Sequence, residues 1–272
     1  MKRGRVAGAL VLCSLAVPPA ASGAQALDTT ASAAKRPLYT RADAWLAAGF
    51  AAGIVVLAPY DEKIAVWSQD SSTQTSARSS VADVFNWGGG AGAIIISAAT
   101  YGAGAIAGSR PVAELGLRAT EAIIVSGAIT GLVKGTLGRQ RPYVNINDPD
   151  YFVFGKGFSD GAYTSMPSGH TTAAFALASV VTDETHHYWP RQAWWVATLS
   201  YGGATMVGLS RIYSNKHWST DVVAGAMVGT LTGLGVVRWH RAHPNSKLDR
   251  WLLPSGVAPA RGGADLTWAV SF

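Results

Sequence analysis

Twenty-six consecutive residues, Val84–Ser109, carry no charged side chain. About 20 apolar residues suffice for an α-helix to cross the hydrocarbon of a bilayer. In lipid the backbone N–H and C=O groups find no water, so a segment of this kind folds as a helix that satisfies them internally. Shorter apolar stretches extend the pattern: Ala44–Tyr60, Val112–Val133 (which contains Glu114, Arg118 and Glu121), Gln192–Ser210 and Val222–Val237. Ser168–Thr182 reads as a further helix. Between them, residues 61–83 read as a polar surface loop, 134–167 as a long loop, and Asp183–Arg191 as a polar turn. No internal repeat and no series of alternating strands appears; Asp265–Phe272 alternates, but one such segment cannot make a barrel. The pattern predicts an all-α, membrane-embedded bundle of about six helices.

Composition narrows the class. Charged residues are only 14% of the chain and apolar ones 49%, which excludes a disordered, charge-rich polymer. Glycine is frequent, 31 of 272 residues, and many lie inside apolar stretches, where close helix packing in lipid uses them. The net charge of +6 is dispersed rather than gathered in a basic run, so no nucleic-acid partner is expected. The single cysteine, Cys13, permits neither a disulfide nor a Cys-based metal site.

Residues 1–26 read as an export signal. Lys2, Arg3 and Arg5 precede the apolar run Val6–Val17, and Ala24-Gln25-Ala26 fits a cleavage site; an uncleaved anchor is the alternative. Residues 27–83 then form a lead-in with one apolar helix, 84–240 the helical core, and 241–272 a basic, then Pro/Gly-rich tail. If Ala44–Tyr60 lies along the interface without crossing, an exported start places the 134–167 loop outside. Arg110, Arg191, Arg238, Arg241, Lys247 and Arg250 then lie on the cytoplasmic side, as the positive-inside rule prefers. If that segment crosses, the arrangement inverts. A non-spanning helical globule in the periplasm is a third reading.

Three clusters at helix ends carry chemistry: Lys134 with Arg141-Pro142, Pro167-Ser168-Gly169-His170, and Ser210-Arg211 with His217 and Asp221. The cations Lys134, Arg141 and Arg211 match the three outer oxygens of a phosphoryl group. Ser168 suits a helix N-cap, the free N–H groups of that terminus bind anions, and Gly169 lets the backbone come close. His217 and Asp221, four residues apart, share a helix face, so the carboxylate can fix one ring nitrogen while the other attacks. His170 can protonate the leaving oxygen. Alone, each cluster has an ordinary structural reading as a helix pair, a capped turn or a snorkelling cation. Together they make a phosphoryl-transfer set in which side-chain cations supply the electrostatic stabilisation, with no metal or cofactor required.

These clusters resemble the tripartite signature of the type 2 phosphatidic acid phosphatase superfamily, which includes lipid phosphate phosphatases, bacterial acid phosphatases and vanadium haloperoxidases. The resemblance spans about residues 84–240. It implies that Lys134, Arg141, Ser168, Gly169 and Arg211 bind phosphate. His170 would be the acid, His217 the nucleophile forming a phosphohistidine, and Asp221 its partner. The function so implied is hydrolysis of phosphate monoesters or pyrophosphates of lipids in the bacterial envelope, with the site facing the periplasm. A soluble periplasmic acid phosphatase acting on small esters, a haloperoxidase and a non-catalytic membrane protein are the alternatives. His186, His187, His240 and His243 read as solvated turn and tail residues, and the tryptophans near segment ends as an interfacial belt or packing residues. Tyr143, Tyr151, Phe152 and Phe154 read as packing the long loop, with contact to an apolar substrate as the alternative.

Overall fold

The computed structural model describes residues 37–244, 246–253, 256–260 and 263–267; the expected export signal lies outside them. Among the described residues there are nine α-helices: α1 Arg41–Leu57, α2 Asp61–Gln69, α3 Ser76–Gly89, α4 Ala91–Ile106, α5 Arg110–Leu137, α6 Gly169–Tyr188, α7 Ala193–Tyr213, α8 Ser219–Ala242 and α9 Lys247–Leu252. A two-stranded antiparallel hairpin follows in the tail, β1 Gly256–Ala260 with β2 Gly263–Thr267. The expected all-α bundle is present, with this hairpin as an addition outside it.

Local signals set the helix ends. Thr40 caps α1 in a box with Asp43, whose carboxylate accepts from the Thr40 N–H at 2.6 Å. Pro111 opens α5, and Gly138 closes it in the left-handed conformation, φ 59°. A Cβ at Gly138 would sit 1.8 Å from the Val153 carbonyl oxygen, so no other residue fits.

The helices pack through small residues. On α8, Gly225, Gly229 and Gly233 lie one turn apart against α6. A Cβ at each would meet Ser168 O at 2.5 Å, Thr172 O at 2.3 Å and Ala176 O at 2.8 Å. Helices α4 and α5 cross as closely at Gly104 and Gly116. Ala119, Ala122, Ile123, Ala176, Val180, Val236 and Val237 fill the centre among α5, α6 and α8. With lipid as the solvent, such close backbone approach supplies the van der Waals contact that holds helices together. The outer faces stay apolar: Val55, Ile95, Ile124, Leu132 and Leu199 are exposed.

Three helical stretches are long and apolar enough to cross a membrane, Arg41–Gln69, α5 and α8, and a fourth if the bent pair α3–α4 is one span. The first contains Ala44–Tyr60 and has the length that the crossing alternative needs. The helix runs on through a 3-10 turn at Ala58–Tyr60 into α2. It follows α8 from end to end, with Arg238 donating to Asp43 at one end and Ser219 donating to Asp61 at the other.

Other segments differ from the sequence expectation for identifiable reasons. Residues 61–83 are α2 and the first half of α3, because Ala65, Ser68 and Ala82 are buried against the bundle although the composition is polar. The uncharged stretch 84–109 is two helices bent by 52° at Gly90, not one. Helix α6 continues to Tyr188 through the expected turn because Glu184 is buried against Arg118, 2.8 Å away. His240 is fully buried between Glu121 and Asp249, not a solvated tail residue. Tyr143, Tyr151, Phe152 and Phe154 are all exposed on the loop.

Candidate active site

Helices α5, α7 and the loop before α8 point their ends to one side of the bundle, where α6 begins. Lys134 lies in the last turn of α5 and donates to the carbonyl oxygens of Thr164 (2.5 Å) and Ser165 (3.4 Å). Its stem lies against Gly169, whose added Cβ would be 3.7 Å from Lys134 Cε. Arg141 donates to Thr164 Oγ1 at 3.0 Å and to the carbonyl of Lys216, the neighbour of His217, at 3.2 Å. Arg211, at the end of α7, donates to Asn86 Oδ1 at 2.8 Å, and its Nε is buried without a hydrogen-bond partner. A buried donor in that condition is costly unless an anion arrives to accept from it.

Ser168 is the N-cap of α6 by position, but its hydroxyl does not cap the helix; it accepts from Thr171 Oγ1 at 2.9 Å. The first-turn N–H groups of α6 are therefore left to an anion, as free helix N-termini offer. The Ser168 N–H itself donates to the Asp221 carbonyl at 2.9 Å, which joins the start of α6 to the start of α8. His170 packs on the α3–α4 bend. A Cβ at Gly90 would sit 2.8 Å from His170 Nε2, so the glycine makes room for the imidazole.

His217 is buried, with Nδ1 3.5 Å from Asp221 Oδ2, at the edge of hydrogen-bond reach. Asp221 is a hub. Its Oδ2 accepts from Ser165 Oγ at 2.5 Å and from the Trp218 N–H at 2.9 Å, and its Oδ1 accepts from Arg139 at 2.6 Å. Burial pushes the His217 imidazole down to about 3, with Lys134 and Arg141 adding to the effect and Asp221 opposing it. Burial and the three cations Arg211, Lys134 and Arg141 push His170 down to about 4. Both rings are thus neutral at pH 7 in a site whose charge is set by the surrounding cations.

All eight residues singled out in the sequence are therefore joined by direct contacts or shared neighbours at one end of the bundle. Asn86, Gly90, Arg139, Asp61 and Ser165 belong to the same constellation and were not foreseen. The Gly88–Gly90 run was visible in the sequence, and so was an arginine two residues before Arg141; Asn86 and Asp61 gave no local signal. Among the described residues no group of three or more His, Cys, Asp or Glu side chains converges as a metal site needs. Beside Asn86, an apolar groove of about 450 Å³ runs between α2, α3 and α7, lined by Ile64, Val81, Phe85, Met206 and Leu209.

A family model described as the PAP2 superfamily matches residues 115–244. The match covers just under half of the chain. It holds all eight site residues: Lys134, Arg141, Arg211, His217 and Asp221 on α5, α7, α8 and their loops, and Ser168, Gly169 and His170 at the start of α6. A lipid A 1-phosphatase of Porphyromonas gingivalis is 41% identical over 83 residues, 30% of this chain and 18% of that protein. A lipid A 1-phosphatase of Rhizobium johnstonii is 32% identical over 113 residues, 39% of this chain and 40% of that protein. The chain thus matches less than half the length of these curated relatives. The crystal structure of a transmembrane PAP2-type phosphatidylglycerolphosphate phosphatase from Bacillus subtilis has the same fold, with a TM-score of 0.55 at 20% identity over 76% of this chain and 97% of that one.

Proposed function

We propose that this PAP2 protein is a phosphatase that hydrolyses the phosphate monoester or pyrophosphate of a membrane lipid. The observation that carries the reading is the gathering of three cations and two neutral imidazoles at the ends of helices apolar enough to cross a membrane. The reaction takes two displacements. His217 Nε2, opposite the nitrogen facing Asp221, attacks phosphorus as the bond to the leaving oxygen breaks. His170, protonated in the substrate complex, gives its proton to that oxygen, and a lipid alcohol departs. Neutral His170 then takes a proton from water, which attacks the phosphohistidine and releases inorganic phosphate. Lys134, Arg141, Arg211 and the first-turn amides of α6 hold the equatorial oxygens throughout.

Three features favour a lipid over a small soluble ester. The site lies at the end of membrane-length helices, exposed aromatic residues stand on its loop, and the apolar groove begins next to Asn86, which holds Arg211. The two relatives named lipid A 1-phosphatase point to a saccharide lipid phosphate as the first substrate to try. We place the site on the periplasmic face of a bacterial envelope membrane. Because α1 follows the full length of α8, this placement puts residues 37–40 and the end of α8 together on the cytoplasmic side, with Arg110, Arg191, Arg238 and Arg241 as the positive-inside rule prefers, and it sets aside the exported start that residues 1–26 suggested.

The test is phosphate release from lipid and soluble phosphates by the purified protein in detergent. The expected result is turnover of a lipid phosphate that survives EDTA, is blocked by vanadate, and is lost in His217→Ala with the fold intact. Turnover by His217→Ala, or loss on chelation alone, overturns the reading.

A further inference from the structure

Upstream of the family match, Asp61 begins α2 and is almost completely buried. Its Oδ1 accepts from Ser219 Oγ and from the Thr220 N–H at 3.0 Å, at the start of α8. Its Oδ2 accepts from Thr220 Oγ1 and from Arg139 Nη2 at 2.9 Å. The carboxylate therefore caps α8 from a different helix, in the position where a negative charge is favoured. The same Arg139 guanidinium donates from Nη1 to Asp221 at 2.6 Å and to Thr220 Oγ1 at 2.6 Å. It also donates from Nε and Nη2 to the Pro149 carbonyl, at 2.9 and 2.8 Å. Phe152 and Trp218 lie close by, with ring centres 5.3 and 5.6 Å from the guanidinium carbon.

We infer that Asp61 and Arg139 are positioning residues for the reaction, acting through the Asp221 carboxylate on the orientation of His217. This rests on the phosphatase reading above. A guanidinium held by a carboxylate on one side and a backbone carbonyl on another, with aromatic rings close by, has one orientation open to it. Its remaining donor fixes Asp221 Oδ1, and with that atom fixed, Oδ2 has one direction in which to face His217 Nδ1. Ser165 and the Trp218 N–H also hold Oδ2, and the Arg139 bond to Oδ1 gives the carboxylate a second fixed point. An imidazole misdirected by a fraction of an ångström loses alignment with phosphorus, while the cations that bind the phosphate are untouched. The consequence belongs to kcat rather than to KM. The N-terminal helix thus supplies part of the catalytic geometry, although the recognisable signature lies wholly downstream of it.

The experiment is a double-mutant comparison on the full-length protein, with phosphate release from the best lipid substrate. Asp61→Asn keeps the side chain's shape and removes its charge. The expected result is a fall in kcat of about tenfold with KM within about twofold, and no further fall when the same change is added to Asp221→Asn, because residues acting as a unit are not additive. A kcat within about twofold of wild type, an equal loss in both backgrounds, or an effect on KM alone overturns the inference. If Asp61→Asn does not yield a monodisperse folded protein, Ser219→Ala, which removes one hydroxyl from Asp61, carries the same comparison at about threefold. An unchanged kcat there also overturns it. An inactive wild type defeats the phosphatase reading itself; an active wild type indifferent to Asp61 defeats only this inference.

Discussion

Gly225 on α8 faces the carbonyl of Ser168 at the active-site end of the α6–α8 crossing. In Gly225→Ala the new methyl would lie 2.5 Å from Ser168 O, 3.2 Å from Thr171 Cβ and 3.2 Å from Thr172 Oγ1. Ordinary contact begins at 3.4 Å, and the obstructing atom is backbone, so the helices must part by roughly 0.9 Å. Overpacking of this kind costs about 1–3 kcal/mol of stability. The separation falls between Ser168–His170 on α6 and the start of α8, whose Asp221 orients His217, and on the proposed mechanism His170 and His217 must face one phosphate. A displacement near 1 Å between reacting groups costs on the order of 100-fold in rate. Gly233→Ala is the control: its methyl would lie 2.8 Å from Ala176 O, a similar intrusion two turns deeper. The assay is kcat from phosphate release beside thermal unfolding in the same detergent. The expected result is a comparable loss of thermal stability in both variants, with a kcat loss of about 100-fold in Gly225→Ala and less than about fivefold in Gly233→Ala. Equal kcat losses, or full activity in Gly225→Ala, would refute the argument that this crossing sets the distance between acid and nucleophile.

Two further tests follow from the site. Asn86→Ala removes the acceptor for Arg211 Nη1 and for Ser210 Oγ, leaving the guanidinium without its anchor; kcat/KM is expected to fall about tenfold, and an unchanged value would separate Arg211 from phosphate binding. For pH dependence, His217 stays neutral down to about 3 and the free site takes a proton on His170 only near 4, while a phosphomonoester loses its second proton near pH ~6. One proton must be present in the complex for the leaving oxygen, so kcat/KM should be greatest between about 4 and 6 and fall as pH rises beyond it; a maximum above pH 8 would contradict the assignment. The same depression acts on stability. The unfolded chain takes up the His217 proton as pH drops through 6.5 and the folded protein only near 3, so stability is present above 6.5 and is lost across that window on acidification.

Where the sequence and the structure part, the cause is a partner far along the chain. The segment 61–83 reads as loop by composition, yet Asp61 is buried by Arg139, Ser219 and Thr220, and helices form around those contacts. Val84–Ser109 reads as one helix because it carries no charge; the 52° bend comes from Gly90 giving space to His170 on another helix. His240 reads as a solvated cation because its neighbours in sequence are basic, while Glu121 and Asp249 enclose it. Glu114 and Arg118, in contrast, stand four apart on α5 and pair at 2.8 Å as their spacing implies.

By itself, the amino-acid order determined the apolar helices, the glycines that let α6 and α8 touch, and the three clusters that bear cations and imidazoles, since each is written in residues a few positions apart. Only the tertiary structure decided that α1 runs beside α8, that Asn86 and Gly90 complete the pocket, and that Asp61 reaches Asp221 through Arg139. The physical reason is that a buried charge takes its orientation from whichever groups fold against it, and those lie 78 and 82 residues from Arg139 along the chain.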